Sequence, residues 1–159
     1  MAKPETHERT LIIVKPDGVQ RGLVGQVIHR FERKGLKLIG IKMMRLDNEI
    51  LRKHYSAHVE KSFYGDLENF MMSNPVVAMV WEGLEAVSTC RKIVGATKGR
   101  EAEMGSIRGD FGMSNARTLI HGTGTVEEAE KEVNLFFTKE ELFDYDKSEY
   151  LHVYAPEEL

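Results

Sequence analysis

The chain has 159 residues, 42% hydrophobic and 30% charged, with a formal charge of −3. Those figures suit a globular protein long enough to bury a core, and they argue against one that lives on non-specific nucleic-acid binding, which needs a basic surplus to displace counterions. Cys90 is the sole cysteine, which excludes an intrachain disulfide and a thiolate metal cage.

The opening MAKPETHERT is polar and lacks the apolar centre of a secretion signal, and no apolar run approaches the roughly 20 residues of a membrane span. The expectation is a cytoplasmic protein with one domain over residues 1–159, a flexible start over 1–8, and neither a membrane nor a specific nucleic-acid partner. A local basic pocket for an anionic substrate stays open, since net charge says nothing about distribution.

Leu11-Ile12-Ile13-Val14 reads as a buried strand stopped by Pro16-Asp17-Gly18. Apolar residues at 24, 27, 28 and 31 predict one helix face, with Gly35 as its stop. LKLIGIKMMRL (36–46) reads as a second strand. Asp47 or Asn48 is positioned to cap a helix running to about His58, and Phe63 to Met72 carries a second short helical pattern ending at Ser73-Asn74-Pro75.

Val76 to Trp81 is the clearest central strand, followed by a helix from about Leu84 to Val94 stopped by Gly95. Residues 95–117 hold five glycines and no sustained periodicity. They read as a long loop before the last strand, of a length that usually serves function. Thr118 to His121 forms that strand. Thr125 then opens a helix through about Phe137, with a glutamate three residues on at Glu128. Residues 138–159 read as an irregular tail.

In order, the elements read β-α-β-(helices)-β-α-β-α. Two βα units joined by a helical insertion predict an α/β (α+β) fold, a ferredoxin-like βαββαβ sandwich in which helices cover an antiparallel four-stranded sheet.

The chemistry centres on TLIHGTGT (118–125). A histidine closing a strand is usually ordinary packing. Here the strand fixes the backbone ahead of His121, Gly122 and Gly124 leave room for a ligand, and the following helix offers a positive dipole end. An imidazole so placed suits nucleophilic phosphoryl transfer. No GxxxxGK[ST] is present, and no GxGxxG follows a strand. Cations stand instead at element ends: Lys15 after strand one, Arg91 on the helix after strand three, Arg108 in the long loop. His54 and His58 have metal-ligand spacing, but no third ligand is suggested nearby and a surface pair is the stronger reading.

The stretches ERTLIIVKPDGVQRGLVGQVIHRFERKGLKLIGIK, NPVVAMVWEG, GSIRGDF and IHGTGTVEEAEKEV resemble nucleoside diphosphate kinases, from Glu8 to about Tyr154. The resemblance implies transfer of the terminal phosphate of one nucleoside triphosphate, mainly ATP, to another nucleoside diphosphate by a ping-pong route through a phosphohistidine. His121 matches the carrier. Lys15, Arg91 and Arg108 match phosphate-holding residues, with Thr97 adding a hydroxyl. Phe63 matches the aromatic that stacks on the base, and Tyr55 a tyrosine near the phosphates. Glu132 matches the carboxylate that orders the histidine through a neighbouring hydroxyl, whose position Thr123 occupies.

The resemblance also implies Mg2+ held by substrate phosphates and water, with no protein metal ligands, and a homo-oligomer, hexamer or tetramer. Glu132 lies seven residues into the predicted helix, about 10 Å along its axis, so the chain must fold back at Gly122 to Gly124 for it to reach His121.

Several positions depart from the family pattern. Thr118 stands where an asparagine commonly binds the sugar, and weaker sugar recognition is expected. Thr123-Gly124 replaces serine-aspartate, Met104 and Ser62 replace prolines, and Asn115 replaces an apolar residue of the base pocket.

Overall fold

Leu11 and Ile13 belong to one buried cluster, whereas Ile12 and Val14 belong to another. That split follows from strand alternation, and it makes a continuous apolar run the signature of a strand covered on both faces. The computed structural model describes residues 7–159. Residues 1–6 of the expected flexible start lie outside the described residues. Its last two positions, His7 and Glu8, are instead strand residues: β1 spans His7–Val14, and Glu8 accepts a hydrogen bond from the Val87 backbone N–H at 2.9 Å.

The other strands are β2 (Lys37–Met44), β3 (Val76–Leu84) and β4 (Ile120–Gly122). All pairings are antiparallel and the sheet order is β2-β3-β1-β4. This is the expected sandwich, with the first and third strands central. Helices α1 (Pro16–Gln20), α2 (Val24–Lys34), α3 (Asn48–His54), α4 (Tyr64–Met72), α5 (Ala86–Val94), α6 (Ile107–Phe111), α7 (Val126–Phe136) and α8 (Tyr150–Val153) complete the order.

On one face Val27 and Phe31 of α2 and Cys90 and Val94 of α5 pack against Ile12, Val14, Met79 and Trp81. On the other, Leu51 of α3, Met71 of α4 and Val133 and Phe136 of α7 pack against Leu11, Ile13, Ala78 and Val80. Pro16-Asp17-Gly18 ends β1 as expected, yet it does so by opening a helix: Pro16 takes the first position of α1, where its missing N–H costs nothing. Gly35 closes α2 at φ 97°, a left-handed conformation that glycine adopts without strain.

Other element bounds need correction, and the 138–159 tail expected to be irregular carries helix α8 and 3-10 turns at Lys139–Glu141 and Pro156–Glu158. The helix capped at Asp47, whose carboxylate accepts from the Ile50 N–H, ends at His54 and not at His58, and turns follow to residue 63. Strand β3 runs on to Leu84, so α5 begins only at Ala86. The 95–117 segment is not one loop. It contains a 3-10 turn at Gly99–Glu101 and helix α6, capped by Ser106 accepting from the Gly109 N–H at 3.0 Å. Helix α6 was hidden because one and a half turns give no period to count, and because its Gly109 argues against helix on propensity. A Cβ on Gly109 would lie 1.9 Å from the Glu103 carbonyl oxygen, so close packing, not flexibility, explains that glycine.

Candidate active site

The sheet brings β1 and β4 side by side with Ile13 opposite His121. His121 is therefore the middle residue of its strand and not the last. Just before it, Leu119 holds φ 68° while fully buried, a conformation that a branched residue keeps only when its surroundings over-determine it. They do. The Leu119 N–H donates to Asp17 Oδ2 at 2.9 Å and its carbonyl accepts from the Lys15 N–H at 2.8 Å. The start of α1 thus clamps the chain two residues upstream of the histidine.

His121 Nε2 lies 3.0 Å from Glu132 Oε2, so the chain folds back as the residue spacing demanded. The glycines are not the means: neither Gly122 nor Gly124 has a positive φ. The reversal is fixed by Thr125, whose hydroxyl caps α7 by accepting from the Glu128 N–H at 3.2 Å. Thr123 donates its hydroxyl to Glu132 Oε2 at 2.5 Å. Burial pushes the Glu132 carboxyl up, but the bonds from His121 and Thr123 and the nearby imidazoles outweigh it and hold the group below the ordinary carboxylate value. A carboxylate that accepts from Nε2–H leaves the lone pair on Nδ1.

Around this pair lies a cavity of about 560 Å³ lined by Lys15, Arg91 and Arg108, together with Tyr55, Thr97 and Thr118. The cations arrive from three elements. Lys15 follows β1 and donates to the Thr118 hydroxyl at 3.0 Å. Burial, reinforced by the charge of Arg108, lowers the Lys15 pKa to about 8. Arg91 reaches from α5 to the Gly122 carbonyl at 3.2 Å.

Arg108 is 4% exposed and donates to the carbonyls of Thr118, Gly95 and Ile120 at 3.1, 3.2 and 2.6 Å. Burial and the charge of Arg91 lower its pKa to about 10. The first turn of α7 already holds Glu127 and Glu128, which offset the dipole end, so these side-chain cations make the pocket positive. A larger depression of about 850 Å³ shares Arg91 but has no nucleophile of this kind.

Phe63 does not line the cavity. It stands outside, 49% exposed, with its ring 5.8 Å from that of His58, which does line it. Tyr55 is deeper, and burial together with Glu132 raises its pKa to about 12. Of the positions that depart from the family pattern, Met104, Ser62 and Asn115 are exposed, and Thr118 is buried against Lys15.

The surface reading of His54 and His58 is overturned. The His54 side chain is 1% exposed, its Nδ1 is 3.6 Å from Glu132 Oε1, and its ring stands edge-on to His121 at 4.6 Å. His58 has a buried Nδ1 and packs near Tyr55 and Phe63. The signal available in the sequence was adjacency: His54 directly precedes Tyr55 at the end of a short helix whose partner, α7, carries Glu132.

The family model for nucleoside diphosphate kinase matches residues 8–142. The nucleoside diphosphate kinase of Crocosphaera subtropica is 52% identical over 139 residues, which cover 87% of this chain and 93% of that one. The enzyme of Trichodesmium erythraeum is 54% identical over 138 residues, 87% and 93% of the two chains. Among solved structures, a halophilic nucleoside diphosphate kinase from Halobacterium salinarum in complex with CDP superimposes with a TM-score of 0.90 at 47% identity, covering 93% of this chain and 99% of that one. Sequence, fold and the family model agree, and the chain belongs to the nucleoside diphosphate kinases, a family of phosphotransferases.

Proposed function

We propose that residues 1–159 form one kinase domain that moves the terminal phosphate of a nucleoside triphosphate, mainly ATP, to a nucleoside diphosphate through a phosphohistidine on His121. The observation that carries this reading is the pairing of His121 Nε2 with Glu132 at 3.0 Å inside a cavity also lined by Lys15, Arg91 and Arg108. The imidazole is held in one tautomer, with Nδ1 as nucleophile.

Nδ1 attacks the terminal phosphorus, the bond to the bridging oxygen breaks, and the diphosphate leaves with that electron pair. The ring keeps its Nε2 proton, and Glu132 balances the positive charge the ring gains. In the second half, a terminal oxygen of the incoming diphosphate attacks the phosphorus, the N–P bond breaks, and its pair returns to Nδ1. Lys15, Arg91 and Arg108 offset charge on the phosphate oxygens, with Thr97 adding a hydroxyl and Tyr55 a phenol, and such positioning supplies most of the catalysis of phosphoryl transfer.

Phe63 stacks on the base, and a π face accepts any base, so breadth of substrate follows. Thr118 serves the sugar hydroxyl. The Halobacterium relative was solved in complex with CDP, which supports a nucleotide as the ligand.

Among the described residues, the carboxylates lining the cavity are Glu128 and Glu132, and Glu132 is engaged by His121 and Thr123. That donor set fits a Mg2+ held by substrate phosphates and water and not by a protein cage. Once bound, the ion neutralises phosphate charge. Exposed Ile41 and Met43 on edge strand β2, with exposed Phe143 beside Ile41, support a homo-oligomer, hexamer or tetramer. No helix among the described residues is long and apolar enough to cross a membrane.

The test is labelling with ATP carrying a radioactive terminal phosphate. Acid-labile, base-stable label should appear on the protein, pass to GDP, and vanish in His121→Ala. Nucleotide binding without label would leave a binding protein on a kinase fold.

A further inference from the structure

His54 raises a separate question. Its side chain is 1% exposed and neither ring nitrogen has a hydrogen-bond partner. A buried imidazole left so is costly and calls for an explanation. Its neighbours are themselves ligand types. One atom each from His54, His121 and Glu132 lie within 4.8 Å of one another; His121 Nε2 is 3.0 Å from Glu132 Oε2, and His54 Nδ1 is 3.6 Å from Oε1 of the same carboxylate. Ligands on a tetrahedral zinc ion, each about 2.0–2.2 Å from the metal, stand at such spacings from one another.

We propose that His54, His121 and Glu132 form an inhibitory site for Zn2+, a three-ligand site with its fourth position open to water.

The chemistry of the donors selects the ion. Two imidazoles and one carboxylate suit Zn2+, whereas Mg2+ prefers oxygen ligands and keeps its waters. Lys15 and Arg108 lie at the same cavity and repel any cation, so only an ion with strong affinity for imidazole nitrogen binds here.

Inhibition follows from the tautomer and rests on the phosphohistidine reading, whereas zinc binding does not. Neutral imidazole has one lone pair and one N–H. Zinc on Nε2 takes the lone pair there, so the ring's proton moves to Nδ1. No proton is released from His121, but the nitrogen that must attack phosphorus has become an N–H donor. Glu132, now a metal ligand, no longer accepts from the ring.

The experiment uses the full chain, free of nucleotide, and zinc chloride as the probe. In long-range proton–nitrogen NMR spectra, zinc should move the ring nitrogens of His54 and His121 and turn His121 Nδ1 from lone-pair-bearing to protonated. His54→Ala should bind zinc roughly 10–100-fold more weakly. Unmoved His54 and His121 rings at saturating zinc overturn the site, as does wild-type zinc affinity in a folded His54→Ala.

A second arm follows the phosphate label at buffered free zinc. Label that falls as the site fills and returns on adding EDTA supports inhibition; label unaffected by a filled site overturns it. A chain that never takes label removes the kinase reading but leaves the spectral result standing.

Discussion

The two ends of the cavity are built differently. At the end that the proposed reaction assigns to phosphate, Lys15, Arg91 and Arg108 come from the end of β1, from α5 and from α6. Each is bonded to a backbone carbonyl or a buried hydroxyl. At the end that the proposed reaction assigns to the base, Tyr55 and His58 line the cavity from the turns between α3 and α4, and Phe63 stands just outside it, half exposed. The first end is assembled by folding, so on the proposed reaction its electrostatic work would need no rearrangement. The second offers area without fixed hydrogen bonds. Chemistry is strict where the charge is, and tolerance is cheap where only stacking is needed.

The largest effect is expected at the strict end. Arg108→Ala should slow phosphoenzyme formation by about 10²–10³-fold. It should also lower stability by about 1–3 kcal/mol, because the carbonyls of Thr118, Gly95 and Ile120 lose their donor. Single-turnover labelling and thermal unfolding measure the two. A variant that labels slowly but melts like the parent would show that Arg108 serves the substrate alone, and that the pre-built character of this wall is overstated.

A smaller effect tests the same wall through pH. The Lys15 pKa is lowered to about 8, so the ligand-free protein loses this charge as pH rises through that value. Phosphate prefers the charged amine, and affinity for a nucleoside diphosphate should fall, by up to about tenfold per unit above pH 8. Stability moves the other way. Between about pH 8 and 10.5 the unfolded chain binds more protons at this group than the folded one, so the contribution of Lys15 to the stability of the ligand-free fold rises with pH. Lys15→Arg should flatten the affinity profile. Affinity and stability that fall together in this window would contradict a buried, destabilising lysine.

The strict wall was also the more legible in sequence, and for a physical reason. Lys15, Arg91 and His121 lie in or beside elements whose apolar patterns are strong, whereas Arg108 stands in the glycine-rich stretch that has none. What the sequence hid was the wiring: the left-handed Leu119 held by Asp17, the carbonyl partners of Arg108, and α6 inside the glycine-rich stretch. Those depend on contacts from residues up to 102 positions apart, and no local period encodes them. His54 was misread for the same reason. Its neighbours on the helix say nothing of Glu132, which reaches it from α7 across the sheet face. The sandwich itself was readable because the continuous apolar runs of β1 and β3 and the 3.6-residue period of α2 and α5 are local.

Phe63→Ala should give the smallest effect and fall only on the tolerant end. Stacking is worth about 1–3 kcal/mol per base, and a ring already 49% exposed belongs near the lower figure, so the apparent Michaelis constant should rise about fivefold. The rise should be similar for adenine, guanine, cytosine and uracil substrates, because the lost contact is with a π face common to all four. The rate of label transfer at saturation should stay close to that of the parent, since no atom of Phe63 lies at the phosphate end. Steady-state kinetics with four diphosphates decide the matter. A penalty concentrated on one base would mean that the turns around His58 and Phe63 read base edges, and a fall in the saturated rate would mean that the two ends of the cavity are coupled. Either result would replace the contrast between a rigid wall and a permissive one with a single cooperative site.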